Sequence, residues 1–283
     1  MPYGGTVSIV NKIAKDFRAS TNFSINNEEK LFTELANAIT NNSNSVFVGV
    51  THGATRANVS FNLTTDKPAR CEIADLLIIT KSRKFPFLRA TFWQAKKQKK
   101  SKWVSLGTAD KHIDFTGQFD QWDLLSRRPS ITGIAPFNPP NDLLSCFQDA
   151  SIGSFGVFYE RDSVIELVHS VAAFVACGNP SAKHPALVVN ANLERYFCPW
   201  CGVAVVSGLE SFIHALINHH VGARLLPSEE SHKWLASYAA KKVASYGKDL
   251  PKNFFLEFEE PSEPVGDYRD GISVLLIDTG DLA

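Results

Sequence analysis

Cys71-Glu72-Ile73-Ala74-Asp75-Leu76-Leu77-Ile78-Ile79 and Arg89-Ala90-Thr91-Phe92-Trp93-Gln94-Ala95-Lys96-Lys97 are two apolar runs joined by a polar segment from Thr80 to Pro86. Runs of aliphatic and aromatic residues bounded by turn-forming residues read as buried strands, and Lys81-Ser82-Arg83-Lys84 with Pro86 supplies a loop between them. The two are expected as a hairpin or an adjacent antiparallel pair. Side chains alternate across a strand, so Ile73, Asp75, Leu77 and Ile79 share one face, and Gln94 and Lys96, about 7 Å apart, share one face of the second strand. An acid, an amide and an ammonium can therefore converge.

A carboxylate and an ammonium inside apolar strands lose hydration that only a partner or a metal replaces. One reading is a structural Asp75–Lys96 ion pair at a strand end. The other comes from a likeness. An Asp on one strand, followed about twenty residues later by an acid or Gln, any residue and Lys on the next, resembles the PD-(D/E)XK nuclease superfamily in its Gln-x-Lys variant, here through Asp75 and Gln94-Ala95-Lys96. The resemblance covers roughly residues 25 to 165 and implies a mixed α/β, restriction-endonuclease-like core, with residues 166–283 as a C-terminal α/β extension that packs on it or stands apart.

The chemistry implied by the resemblance is hydrolysis of a DNA phosphodiester. The anionic diester resists attack until a hard cation, Mg or Mn, neutralises its charge and polarises the phosphoryl group. Asp75 is then the anionic ligand, Gln94 and the Ala95 carbonyl are neutral oxygen ligands, and Lys96 serves the water and the developing charge. Gln in place of an acid leaves the site one negative charge short. Members of the superfamily often supply a glutamate from the preceding helix, which puts Glu29 forward; Glu28 is its neighbour, and both also suit the first turn of a helix for its own sake. Glu72 is a rival ligand, but strand alternation places it on the face opposite Asp75.

Composition bounds the remainder. With 283 residues, 44% apolar and 20% charged, and a formal net charge of zero, the chain reads as globular, so any nucleic-acid surface must come from local clustering of Lys and Arg. Five cysteines do not form a disulfide framework. No secretory signal pattern and no apolar run of membrane-spanning length is present, and a soluble cytoplasmic protein is expected.

Met1 to Phe23 reads as a weakly helical or extended lead. Ser24 to Thr40 reads as a helix with Asn26 or Asn27 as cap and Leu31, Phe32, Leu35, Ala36 and Ile39 inward. Strands are expected at Ser45–Val50, Asn58–Leu63, Ser154–Arg161, Ala186–Asn192 and Ile272–Asp278, and helices at Phe115–Leu125, Val164–Val175, Ser211–Val221 and Lys233–Tyr246. Lys97, Lys99, Lys100 and Lys102 form a basic run continuous with the Lys96 strand, a pattern that suits backbone phosphates as well as a solvated loop. Gln118 and Gln121, on the helix that follows, suit a phosphate or water contact there.

Cys198, Cys201, His214 and His219 follow the pattern Cys-x2-Cys-x12-His-x4-His, within the spacing of a structural zinc site. Imidazoles five apart on a helix align poorly, and buried thiols with ordinary histidines are the favoured reading. Three functions stay open: a metal-dependent endonuclease in restriction or antiviral defence, as the resemblance implies; a catalytically silent nucleic-acid-binding protein; and a subunit that works only with a partner protein. Self-association into a homo-oligomer is compatible with each.

Overall fold

A computed structural model describes residues 3–50, 57–98, 103–106, 110–190, 197–198, 202–258 and 271–280. The chain begins with α1 (Tyr3–Ser20), α2 (Glu28–Thr40), β1 (Asn44–Val48), β2 (Asn58–Asn62), β3 (Pro68–Glu72), β4 (Leu76–Lys81) and β5 (Leu88–Lys97). It continues with β6 (Trp103–Leu106), β7 (Asp110–Thr116), α3 (Phe119–Arg127), β8 (Thr132–Gly133), β9 (Gly153–Arg161), β10 (Val164–Val171), β11 (Val175–Cys177) and β12 (Ala186–Asn190). Then come β13 (Phe197–Cys198), β14 (Val203–Ala204), β15 (Val206–Gly208), α4 (Leu209–Ile217), β16 (Ala223–Leu225), α5 (Glu230–Ser245) and β17 (Ser273–Asp278).

The centre is a mixed sheet in the order β1-β17-β4-β5-β9-β10-β15, with β16 also on β5. The expected hairpin is its middle: β4 and β5 pair antiparallel from Leu76–Trp93 to Thr80–Arg89, and β5 then pairs parallel with β9. β17 runs parallel to β4 and antiparallel to β1. Residues after 165 therefore contribute β15, β16 and β17 to the same sheet, and β10 spans the expected boundary.

Alternation along the central strands sends side chains to two apolar layers. Leu76, Ile78, Trp93, Ala95 and Phe158 meet α1, α2 and α4 on one face, while Leu77, Ile79, Phe92, Phe155 and Val157 meet α3 and α5 on the other. This is a mixed α/β fold with helices on both faces of a mixed sheet, as the sequence leads one to expect.

Some expectations are sharpened and others corrected. The lead, expected as weakly helical or extended, is an 18-residue helix whose Val10, Ile13, Ala14 and Phe17 are buried. Those residues recur at helical spacing, and full burial of each large apolar side chain favours the fold by about 1.5–3 kcal/mol. Val164–Val171 is a strand paired with β9 along its length, not a helix; its Val and Ile content suits a pleated surface. Phe115 and Thr116 end β7, paired with β12, so the helix starts only at Phe119.

The largest correction falls on the stretch from Cys71 to Ile79, which is two strands and not one. β3 belongs to a small sheet, β3-β2-β8, and β4 to the central sheet. The chain crosses between them at Ile73–Asp75, where the Ile73 amide donates to the Ala57 carbonyl and the Asp75 carbonyl accepts from the Ser273 amide, 2.9 and 3.2 Å.

Candidate active site

β5 is longer than its neighbour β4, whose first residue Leu76 lies opposite Trp93. Beyond that point the β4-facing edge of β5 has no strand partner among the described residues, and two carboxylates take the place of one. Asp75 accepts the Ala95 amide at 2.7 Å and Glu28, in the first turn of α2, accepts the Lys97 amide at 3.0 Å. The Gln98 amide instead donates to the Phe158 carbonyl on the β9 side, at 2.8 Å, as strand alternation requires. A strand residue turns its N–H and its C=O to the same edge, so the Ala95 carbonyl shares the edge on which Asp75 sits.

Continuing the β4–β5 register by one step sets Asp75 opposite Gln94, and the Gln94 Nε2 donates to Asp75 Oδ2. A carboxylate accepts and does not donate, which fixes the amide nitrogen toward Asp75. The amide oxygen is thereby left without a hydrogen-bond partner, although Gln94 is only 2% exposed. Lys96, 8% exposed, lies two residues on and on the same face.

These groups line a cleft of about 520 Å³ between the N-terminal ends of α2 and α3 at the far end of β5. Four acidic residues, Glu28, Glu29, Glu72 and Asp75, line it, with Lys96, Lys97, Gln94, Gln118 and Gln121. The structure thus gathers Asp75, Gln94, Lys96, Glu29, Gln118 and Gln121, each singled out from the sequence. Gln118 is exposed at the cap position of α3, whereas Gln121 is buried and its Oε1, like that of Gln94, has no hydrogen-bond partner.

Glu72 also lines the cleft, contrary to the expectation from alternation. The alternation argument assumed one continuous strand; across the crossing at Ile73–Asp75 it no longer holds. Around Cys71, burial together with the carboxylates of Asp120, Glu72 and Asp123 pushes the thiol well above its ordinary range.

Lys97 does not present a free cation for phosphate. Its ammonium donates to the carbonyls of Phe23 and of Asn26, the latter at 2.8 Å, and sits 4.5 Å from the centre of the Phe23 ring. Lys97 and Glu28 together clasp the α1–α2 loop and the start of α2 to β5. Glu28→Ala removes a charge-assisted bond from a partly exposed site, and a stability loss of about 1 kcal/mol is expected. Urea melts check it, and faster exchange of the Lys97 amide proton should accompany it. Lys99, Lys100 and Lys102 lie outside the described residues.

Among the described residues the zinc-spaced Cys and His candidates form no metal-binding group. His219 is buried between Phe85 and Phe87, with its Nε2 at 2.9 Å from the Phe87 carbonyl and its Nδ1 at 3.0 Å from Thr80 Oγ1. A carbonyl only accepts, so Nε2 carries the proton and Nδ1 accepts from Thr80, leaving no nitrogen for a metal. His214 is exposed on α4, and Cys201 lies outside the described residues. Cys71, Cys146 and Cys177 are free thiols.

Burial holds His219 and also His169, which stacks on Phe212, down to about 3 from the ordinary 6.5. The unfolded chain binds these protons near pH 6.5 and the folded one only near 3, so the associated stability is present above 6.5 and is lost as pH falls through that window. At pH 5 each buried imidazole should lower stability by about 2 kcal/mol relative to pH 7. Urea melts at the two pH values check this, and His169→Leu should remove about half of the difference, leaving the part due to His219.

No family model matches the chain, no curated protein matches it and no solved structure matches it. No described helix is long and apolar enough to cross a membrane.

Proposed function

We propose that the chain is a divalent-metal-dependent nuclease that hydrolyses DNA phosphodiester bonds, with Mg or Mn held at Asp75 and Gln94. The observation that carries this reading is the Gln94 amide oxygen, buried and without a donor beside a carboxylate in an acid-lined cleft. Leaving such an oxygen unsatisfied costs about 1–3 kcal/mol, and a hard cation is the ligand that an amide oxygen beside a carboxylate suits.

Among the described residues no group of three His, Cys, Asp or Glu side chains stands ready to cage an ion. Mg does not need one, since it retains several waters and takes one or two carboxylates, completing its shell on substrate phosphate. Asp75 and Gln94 fit that description, with Glu29 of α2 as the second carboxylate and the Ala95 carbonyl on the same edge. The bound ion supplies charge neutralisation and polarisation of the phosphoryl group.

The chain's own residues do the rest. Gln94 and the Ala95 amide hold Asp75 in one rotamer, and Glu28 holds α2 against the strand so that Glu29 stays at the cleft. Lys96 places an ammonium in a mostly buried wall, where its charge is screened less than in water, to stabilise charge gathering on the phosphate oxygens and to orient the attacking water. Phosphate contacts outside the cleft fall to Lys99, Lys100 and Lys102.

The test is incubation of the purified protein with supercoiled plasmid and with linear duplex in Mg, in Mn and in chelator. Cleavage with either ion and none in chelator is the expected result. Undiminished cleavage in chelator overturns the reading, and so does salt-sensitive DNA binding without cleavage under any ion, which would identify a silent nucleic-acid-binding protein.

A further inference from the structure

One residue of the cleft faces outward with no evident structural task. Ile25, in the α1–α2 loop, is 79% exposed and lines the mouth of the cleft beside Asn26, Asn27 and Glu28. A lone apolar side chain on an ordinary surface needs no explanation. The loop that carries this one is different, because it tucks its other apolar residue away: Phe23, two positions earlier, packs against the core beneath α1 and α2.

The loop is also tied down. The Asn26 and Ile25 amides donate to the Asn22 carbonyl at 2.8 and 3.2 Å, the Asn22 amide donates back to Asn26 Oδ1 at 2.6 Å, and the Ser24 amide donates to Asn22 Oδ1 at 3.0 Å. Lys97 reaches from β5 to the carbonyls of Phe23 and Asn26, which bracket Ile25 in the chain. Isoleucine adds its own stiffness, since branching at Cβ restricts χ1. A bare, rigid, apolar side chain is thus fixed at the entrance of a cleft whose other lining residues, Phe32 apart, are all polar.

An aliphatic side chain has nothing to offer a phosphate. Beside a phosphate-binding cleft it gains only from apolar surface, and the largest such surface in DNA is the faces of stacked bases, reached by parting a step. We propose that Ile25 is a wedge that enters the base stack of a DNA duplex next to the bond to be cut. The inference rests on the nuclease reading and deepens it by naming the form of the substrate, a duplex unstacked at the cleft. A wedge that is already rigid loses little freedom on insertion, which the hydrogen bonds of the loop and the reach of Lys97 secure. TA and CA/TG steps kink and unstack most easily, so cleavage should favour them.

The experiment reads unstacking apart from cleavage. The intact protein is added in excess, with Ca in place of Mg, to a duplex in which every adenine that follows a thymine is 2-aminopurine, whose fluorescence rises on unstacking. Anisotropy of a terminal dye follows binding of the same duplex. Wild type should raise the fluorescence about twofold or more. Ile25→Ala should bind within about threefold of wild type, because phosphate contacts supply most of the affinity, yet give less than about half of the rise. Ile25→Leu keeps the apolar bulk and should keep the rise. In Mg, Ile25→Ala should cut a paired duplex about tenfold more slowly, and a duplex mismatched at the cut step as fast as wild type does, because a mismatch is already easy to unstack. A loop that merely shaped the cleft would slow both substrates alike. Melting curves of both variants should match wild type, since the side chain is exposed.

Equal rises in wild type and Ile25→Ala, or no rise from bound wild type, overturn the wedge; cleavage of the same duplex in Mg then leaves the nuclease reading standing. A rise that depends on Ile25, in a protein that cuts under no ion, supports the wedge and overturns the nuclease reading. A protein that binds no duplex overturns both.

Discussion

Lys96→Met should abolish metal-dependent cleavage, by about a hundredfold or more, while leaving the protein as stable as wild type or more so. The two directions separate the readings of this residue. Removing a group that stabilises charge in a transition state typically lowers turnover by about 10²–10³-fold. Met keeps the length and most of the volume of the lysine side chain, and Lys96 is only 8% exposed, so the apolar replacement suits its surroundings and relieves the fold. Were Lys96 instead the structural counter-ion of Asp75, taking it away would leave a partly buried carboxylate without its counter-charge and destabilise the fold.

Asp75→Asn probes the other half of the site. Asn retains an oxygen that accepts the Ala95 amide, so the edge of β5 keeps its cap, but the negative charge is gone. Cleavage should fall by about a hundredfold or more, with partial recovery at high Mn as mass action compensates for weaker binding. Plasmid nicking assays over a metal titration, run beside urea melts of the same preparations, measure both quantities. A Lys96→Met protein that is strongly destabilised and a folded Asp75→Asn protein that cuts normally would together reduce the cluster to an ion pair at a strand end.

The site was more legible than the fold around it. Asp75, Gln94 and Lys96 stand out because they interrupt apolar runs, and short-range alternation along β5 is enough to set Gln94 and Lys96 on one face. Glu72 was misplaced because nothing local marks the crossing from β3 to β4: Ile73 and Ala74 are as apolar as their neighbours. The crossing is fixed by Ala57, sixteen residues from Ile73, and Ser273, 198 residues from Asp75. The same holds for Lys97, whose charge reads as a phosphate contact until the α1–α2 loop is folded back over it.

Other misses carried a signal that was available. Val10, Ile13, Ala14 and Phe17 have the spacing of a helix stripe, and the Val and Ile of Val164–Val171 favour a strand over a helix. His219 had no such signal, because its burial depends on Phe85 and Phe87, far away in sequence on the β4–β5 turn. Polar residues in apolar runs declare themselves locally, while their partners are chosen by the tertiary fold.

Gly156→Ala should destabilise the protein by about 3 kcal/mol, a large effect for a single methyl group. Gly156 lies on β9 opposite Ala95, and the indole of Trp93 occupies the space that a Cβ there would need, overlapping its Cζ2, Cε2 and Cη2 atoms. The obstacle is rigid. Trp93 is 1% exposed, stacks on Phe212 at 6.3 Å between ring centres and meets Phe158 edge-on at 5.9 Å, so it has no open space into which to withdraw. Added volume in a packed interior forces side chains from their rotamers or strands apart. Here the strands are β5 and β9, the pair that carries the cleft. Trp93→Leu vacates the space at its own cost in lost burial, and with it in place Gly156→Ala should be nearly neutral, a coupling of about 2 kcal/mol in a double-mutant cycle read from urea melts. Additive losses would mean that Gly156 is held by something other than the indole. Because Trp93 points to the face of β5 opposite Gln94 and Lys96, a folded double variant should still bind Mn as the wild type does, which separates the packing of this strand from the chemistry at its end.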